Sequence, residues 1–260
     1  MKKTTVSAIV MSVAMAVGWG QAYARDKLRL GTEGAYPPFN FIEPNGAVSG
    51  FDVEIGLALC KKMDVDCEVV TQDWDGIIPG LQARKYDFIV ASMSITDERK
   101  EQVAFTDPYY RSGFALVAPK DSDIVDVSPE ALAGKVIGAQ AGTTQGNYAA
   151  QIFTQSDVKL YPSQEEVNLD LLNGRLDLQV SDYLPMLDWV NNSRQGACCK
   201  FIGKPVTDPA FVGDGIAIAL RKEDEDLRNK MNEALKAIRS DGTYAAISNK
   251  YFHTDIFTFE

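Results

Sequence analysis

Histidine is almost missing from this chain: His253 stands alone in 260 residues. One histidine cannot build a multi-histidine metal site, and it leaves a Ser-His-Asp or Cys-His centre a poor explanation of the sequence. Positive charge is scarce too, with 26 Lys and Arg against 36 Asp and Glu and a formal net charge of −10. Nucleic acids require a basic face, so no nucleic-acid partner is expected. Nor does any stretch beyond the N-terminus run apolar for long enough to span a bilayer. What remains, 45% hydrophobic and 24% charged residues, is ordinary globular material with enough length for a sizeable core.

The N-terminus is built differently. Lys2 and Lys3 precede an apolar run over 8–18, and Ala22-Tyr23-Ala24 supplies small residues at the spacing of a cleavage site. This reads as a signal peptide, residues 1–24, removed after Ala24. The mature chain is then exported, and more acidic than the precursor because both lysines leave. Export makes the four cysteines legible. Cys60 and Cys67, in LCKKMDVDC, read as a short-loop disulfide joining a helix end to the next strand. No histidine accompanies them, so neither zinc nor any other metal is expected, and no cofactor. Cys198 and Cys199 are adjacent, and the sequence leaves open whether they stay reduced, pair with each other or pair between molecules.

Short β-branched or apolar runs alternate with helical segments, the signature of α/β units on a largely parallel sheet. Strands are expected over 28–31, 68–71 and 88–92, with helices over 52–63, where Asp52 reads as the N-cap, and over 76–85. The pattern then restarts, with strands over 136–139, 159–161 and 178–181 and helices over 143–153 and 165–172. Two C-terminal helices are expected over 224–238 and 244–251. A partial repeat supports this division: Leu81, Asp87 and Ser92 share their spacing with Leu171, Asp177 and Asp182 at an offset of 90. Ser92 and Asp182 thus occupy equivalent places after equivalent strands, where open α/β sheets bind ligands. Two sheets facing each other would set these residues across one cleft. The chain is expected to cross between lobes near 110–114 and return near 213–215, giving a first lobe over 25–112 and 211–260 and a second over 113–210.

The ordered set GTEGAYPPF (31–39), GFDVEIGLALC (50–60), SMSITDERK (92–100), FTDPYY (105–110), AGTTQ (141–145), NGRLD (173–177) and DGTY (241–244) closely resembles the periplasmic polar amino-acid-binding proteins of ABC importers. The lysine/arginine/ornithine-, histidine- and opine-binding branch is the one it is similar to. The resemblance covers essentially the whole mature chain. It implies a two-lobed periplasmic binding protein fold (type II), each lobe a mostly parallel sheet flanked by helices, with a two-strand hinge. It also implies a periplasmic monomer that closes over one L-amino acid and delivers it to an inner-membrane permease.

The same resemblance implies a site. Arg99 would grip the α-carboxylate of the ligand. Its fork of donors suits a carboxylate, and Ser94 with Asp97 three residues on reads as a helix start beside it. Thr143, Thr144 and Gln145 form a second helix start from the other lobe. Asp182 would meet the α-ammonium, because an anion at a buried strand end is costly without a cation. Ser92 and Ser94 would contact the same end of the ligand. Ala91 stands where relatives often carry serine, which removes one hydroxyl. Tyr36 and Trp74 match an aromatic pair that sandwiches the side chain.

Gln140 and Gln145 could bond the distal end of the ligand, and Glu33, after the first strand, is expected to face it. Relatives carry an acid at that place when the ligand is cationic, so arginine, ornithine, lysine, histidine or an opine is the expected class. An enzyme on the same scaffold, a prephenate or arogenate dehydratase-like lyase, is the rival, but it would not need an ammonium-binding acid. A ligand-sensing half of a membrane receptor fits less well, with no second membrane segment or signalling domain following.

Overall fold

The computed structural model describes residues 27–257, so the signal peptide and its cleavage site lie outside the described residues. Two five-stranded sheets organise the chain. The first runs in the order Asp66–Thr71, Lys27–Thr32, Phe88–Ile89, Ala219–Leu220, Ala104–Phe105. The second runs Asp157–Tyr161, Val136–Gln140, Leu178–Asp182, Phe114–Pro119, Cys199–Val206. In each, the first three strands are parallel and appear in the sequence order second, first, third. The repeat at an offset of 90 therefore reflects two copies of one strand–helix arrangement. The fourth strand of each sheet is antiparallel to the third and enters next to a crossing between lobes.

Strand sequences show why both sheets are buried on two faces. Along Phe114–Pro119, Phe114, Leu116 and Ala118 enter one apolar cluster, while Ala115 and Val117 enter another. Phe88 and Val90 likewise face one core of the first lobe, and Ile89 and Ala91 the other. A period of two with apolar residues on both faces requires helices on both sides. The helix Glu225–Ser240 is one such cover: Met231, Ala234, Leu235 and Ile238 recur at helical spacing and are its buried face.

The two crossings run antiparallel beside each other. Ile216 pairs with both Tyr110 and Ser94, and its amide donates to the Tyr110 carbonyl at 3.0 Å. A third, three-stranded sheet over Ala35–Tyr36, Asn40–Ile42 and Val48–Ser49 was not foreseen. Its strands are two or three residues long, too short for alternation to register. The disulfide joins Cys60 in the helix Phe51–Lys62 to Cys67 in the strand Asp66–Thr71. Cys198 and Cys199 are unpaired, the first exposed and the second buried.

Four local expectations are corrected. Asp52 is not the cap of its helix, which begins after Gly50. The amides of Phe51 and Asp52 donate to the carbonyls of Pro38 and Phe39, so backbone already satisfies that helix end. Ser94 does not start the helix at Asp97–Gln102 either. Thr96 does, its hydroxyl accepting from the Arg99 amide at 3.2 Å. The strand expected over 88–92 ends at Ile89, and Ser92 turns out of line with a left-handed φ of 51°. The helix expected over 76–85 is also shorter, a turn at Trp74–Gly76 followed by Ile77–Gln82.

Candidate functional site

The carboxyl ends of both parallel strand sets meet at one narrow interlobe cleft. Its lining is Glu33, Tyr36, Trp74, Ala91, Ser92, Ser94 and Arg99 from the first sheet's loops and Gln140, Thr143, Thr144, Gln145 and Asp182 from the second's. These are the twelve positions singled out in the sequence, brought together by loops that leave the strands in the same sense. Among the described residues no cluster of His, Cys, Asp and Glu could hold a metal ion.

Arg99 is buried, 9% exposed, on the first turn and a half of its short helix. Its two terminal nitrogens donate to carbonyl oxygens, one to Ser94 at 2.9 Å and one to Gly142 at 3.1 Å. Its carbon lies 5.3 Å from the centre of the Trp74 ring. The cation is thus oriented by neutral groups and a π face. Burial lowers its pKa to about 10, partly opposed by the fields of Asp182 and Glu98, and it stays charged.

Gly142 lies opposite with φ of 67°, a conformation that costs glycine little. That turn aims its carbonyl at the other lobe, where it accepts from the Trp74 indole at 3.0 Å as well as from Arg99. Thr143 caps the helix Thr144–Ile152, its hydroxyl accepting from the Gly146 amide at 3.0 Å. The next residue, Thr144, brings its hydroxyl to 3.4 Å from that of Ser94 and donates to the Gln145 side chain at 3.2 Å.

Asp182 ends its strand and precedes the helix Tyr183–Asn192, but its side chain makes no capping bond. The Tyr183 amide goes instead to the Gly113 carbonyl, which leaves the carboxylate for the cleft. One of its oxygens accepts from the Tyr36 hydroxyl at 2.6 Å, across the lobes. Burial pushes the carboxyl up to about 6, with the Tyr36 bond and Arg99 pulling the other way.

Glu33 is also buried rather than capping a turn in solvent. Its Oε1 accepts from Gln140 Nε2 at 2.6 Å, again across the lobes. Burial pushes this carboxyl up to about 7; the Gln140 bond opposes that, and the fields of Asp73, Glu165 and Asp52 add to it. Among the described residues that most affect its charge there is no cation.

Sequence reasoning missed one residue of the site's support. Asp52, fully buried under the cleft, accepts from Asn40 Nδ2 at 2.9 Å, from the Ser92 hydroxyl at 2.9 Å and from the Tyr109 hydroxyl at 2.5 Å. Asn40 in turn accepts from the Gly34 amide at 2.7 Å. One carboxylate therefore ties down both the Ser92 turn and the loop that carries Glu33. The available signal was Asp52 set between Phe51 and Val53 in a mostly apolar helix segment, GFDVEIGLALC, a placement that a surface cap alone leaves unexplained.

A two-lobed α/β receptor with a type II periplasmic binding protein fold is the class this topology and cleft define. Residues 28–254 match the family model of bacterial extracellular solute-binding proteins, family 3, and the chain belongs to that family. It is 41% identical over 253 residues to the L-arginine-binding protein of Pseudomonas aeruginosa, covering 96% of this chain and 97% of that one. It is 36% identical to the lysine/arginine/ornithine-binding periplasmic protein of Escherichia coli, over 95% of this chain and 98% of that one. Among solved structures, an ancestral arginine-binding protein bound to arginine aligns with a TM-score of 0.80 and 38% identity, over 88% of this chain and all of that one. These relatives are named as binding proteins, not as enzymes.

Proposed function

We propose that the protein is the periplasmic substrate-binding component of an ABC importer, that it captures one cationic amino acid between its lobes and that it passes it to an inner-membrane permease. Arginine, ornithine and lysine are the ligands in view, with histidine or an opine as the outer bounds of the class. The observation that carries this reading is the charge inventory of the cleft: two buried carboxylates, Glu33 and Asp182, against one buried guanidinium, Arg99. A zwitterion balances one acid and one base. The second acid needs a second cation, because an unpaired buried carboxylate is expensive.

Arg99, with the helix start at Thr143 and Thr144, receives the α-carboxylate. Asp182 offers the ammonium the oxygen that Tyr36 does not use. Ser92 and Ser94 add polar contacts at that end, and Trp74 lies along the aliphatic stem. Burial of all three ions on closure gives each pairing more weight than it would have in water. The lobe division at 112/113 and 210/211, the monomeric state and export by a cleaved signal peptide are parts of the same reading. So is binding without turnover. Each ionic group of the cleft is assigned to holding the ligand, and none is left over as a general acid for elimination.

Isothermal titration of the mature chain with arginine, ornithine, lysine, histidine, glutamine and glutamate tests the proposal. At least one cationic ligand should bind at micromolar concentration or tighter. Glu33→Gln should weaken that ligand by roughly 1.5–3 kcal/mol, the range for hydrogen bonds to charged groups, and leave neutral ligands nearly unchanged. Tighter binding of glutamate than of arginine would overturn it.

A further inference from the structure

Gln140 sits 1% exposed at the end of the strand Val136–Gln140, and both hydrogens of its amide are committed. Nε2 donates to Glu33 Oε1 at 2.6 Å and to the Pro162 carbonyl at 3.2 Å. The chemistry of those partners fixes the amide's orientation. Turned over, it would press its own oxygen against a carboxylate and a carbonyl, three acceptors with no donor among them. The Gln140 Oε1 atom takes no hydrogen bond among the described residues, and the side chain lines the cleft.

The distal end of the cleft therefore presents two free acceptors, not one. Glu33 Oε2 comes from the first lobe and Gln140 Oε1 from the second. Between them stand two planar groups and the hydrogen bond that joins them. An ammonium carries its three donors on a single nitrogen, whereas a guanidinium spreads five donors in one plane over three nitrogens. Two acceptors on separate side chains match the second shape better. Resting on the cationic-ligand reading above, we infer that Gln140 is the residue that separates guanidinium from ammonium side chains. Glu33 supplies the negative charge that every basic ligand needs, and Gln140 supplies the second acceptor that only a guanidinium fully uses.

The test is titration of wild type, Gln140→Met and Gln140→Leu with arginine, lysine and ornithine at pH 8, each variant's melting curve confirming that it folds. Wild type should prefer arginine. In both variants arginine should weaken at least tenfold while lysine and ornithine change less than threefold, so the preference collapses. Equal weakening of all three ligands would overturn the inference and leave Gln140 as a strut between lobes. Unchanged arginine affinity would overturn it as well. Failure of the cationic reading looks different: wild type would bind none of the three, and the inference would fall with it.

Discussion

At one end of the cleft Glu33, from the first lobe, accepts a bond from Gln140 of the second; at the other, Asp182 of the second lobe accepts one from Tyr36 of the first. Each acid is thus held across the interface by a neutral donor, with one oxygen left over. The ends differ in what else surrounds them. Asp182 feels Arg99, whereas the charges that act most on Glu33 are other acids, Asp73, Glu165 and Asp52. Burial is the main cause of both shifts, which take Glu33 from 4.5 to about 7 and Asp182 from 3.8 to about 6. On the function proposed above, the end with its own cation serves any amino acid and the end without one selects.

The sharpest way to break this comparison is to neutralise each acid in turn. Asp182→Asn should cost every amino acid about 3–5 kcal/mol, since the ligand's ammonium would be buried unpaired. Glu33→Gln should cost only cationic ligands, and less. Paired titrations of arginine and glutamine against both variants give four numbers. If Glu33→Gln weakened glutamine as much as arginine, the two ends would not have separate tasks.

Much of this site was legible before any fold was known, for a physical reason. Ionic groups that must be buried have few places to go, and Arg99, Asp182 and Glu33 each follow a strand or open a helix in the sequence. Gly142 with Thr143 was readable as a capped helix start, and Thr143 does cap it. Less legible was anything decided by a partner far along the chain. Asp52 looked like a cap because capping is local, but its helix end is satisfied by carbonyls of the preceding loop and its carboxylate by Asn40, Ser92 and Tyr109. The bonds Glu33–Gln140 and Tyr36–Asp182 span 107 and 146 residues, and no spacing rule reaches that far.

The second prediction concerns pH and has opposite signs for binding and for stability. A cationic side chain needs Glu33 ionised, so its affinity should be full above pH 7. Below that it should fall, by up to tenfold for each unit once Glu33 is protonated. Between pH 8 and pH 6 the loss should be near tenfold for arginine and small for glutamine. Stability of the ligand-free chain should move the other way. Glu33, Asp182 and Asp52 have folded pKa values above their ordinary 4.5 and 3.8. In that window the folded chain binds protons that the unfolded chain does not, so stability rises as pH falls from about 8 towards 5. Melting curves at three pH values, with and without arginine, would show both trends. A ligand-free melting temperature that fell steadily over this range would contradict the burial of these acids.

The smallest expected effect sharpens the comparison by adding a third acid that should not discriminate at all. Asp52 is as buried as the other two, and burial pushes it up to about 6. Unlike them, it spends its oxygens on donors of its own lobe, Tyr109, Asn40 and Ser92, which hold its pKa down. Its task is to orient, not to meet the ligand. In Asp52→Asn the amide oxygen still accepts, and the Ser92 and Tyr109 hydroxyls can turn to face the new donor. The cost should therefore be about 1–2 kcal/mol of stability at pH 8, with arginine, lysine and glutamine weakened together by a few-fold. Because Asp52 takes up a proton in the folded chain as pH falls through 6 while the unfolded chain does not, wild type gains stability that the variant lacks, so the difference between the two proteins should widen towards pH 5. Urea unfolding at pH 8 and pH 5, together with titrations at pH 8, measures each part. A selective loss of arginine in this variant would mean that Asp52 belongs to the distal end, and that the cleft divides its labour between three acids rather than two.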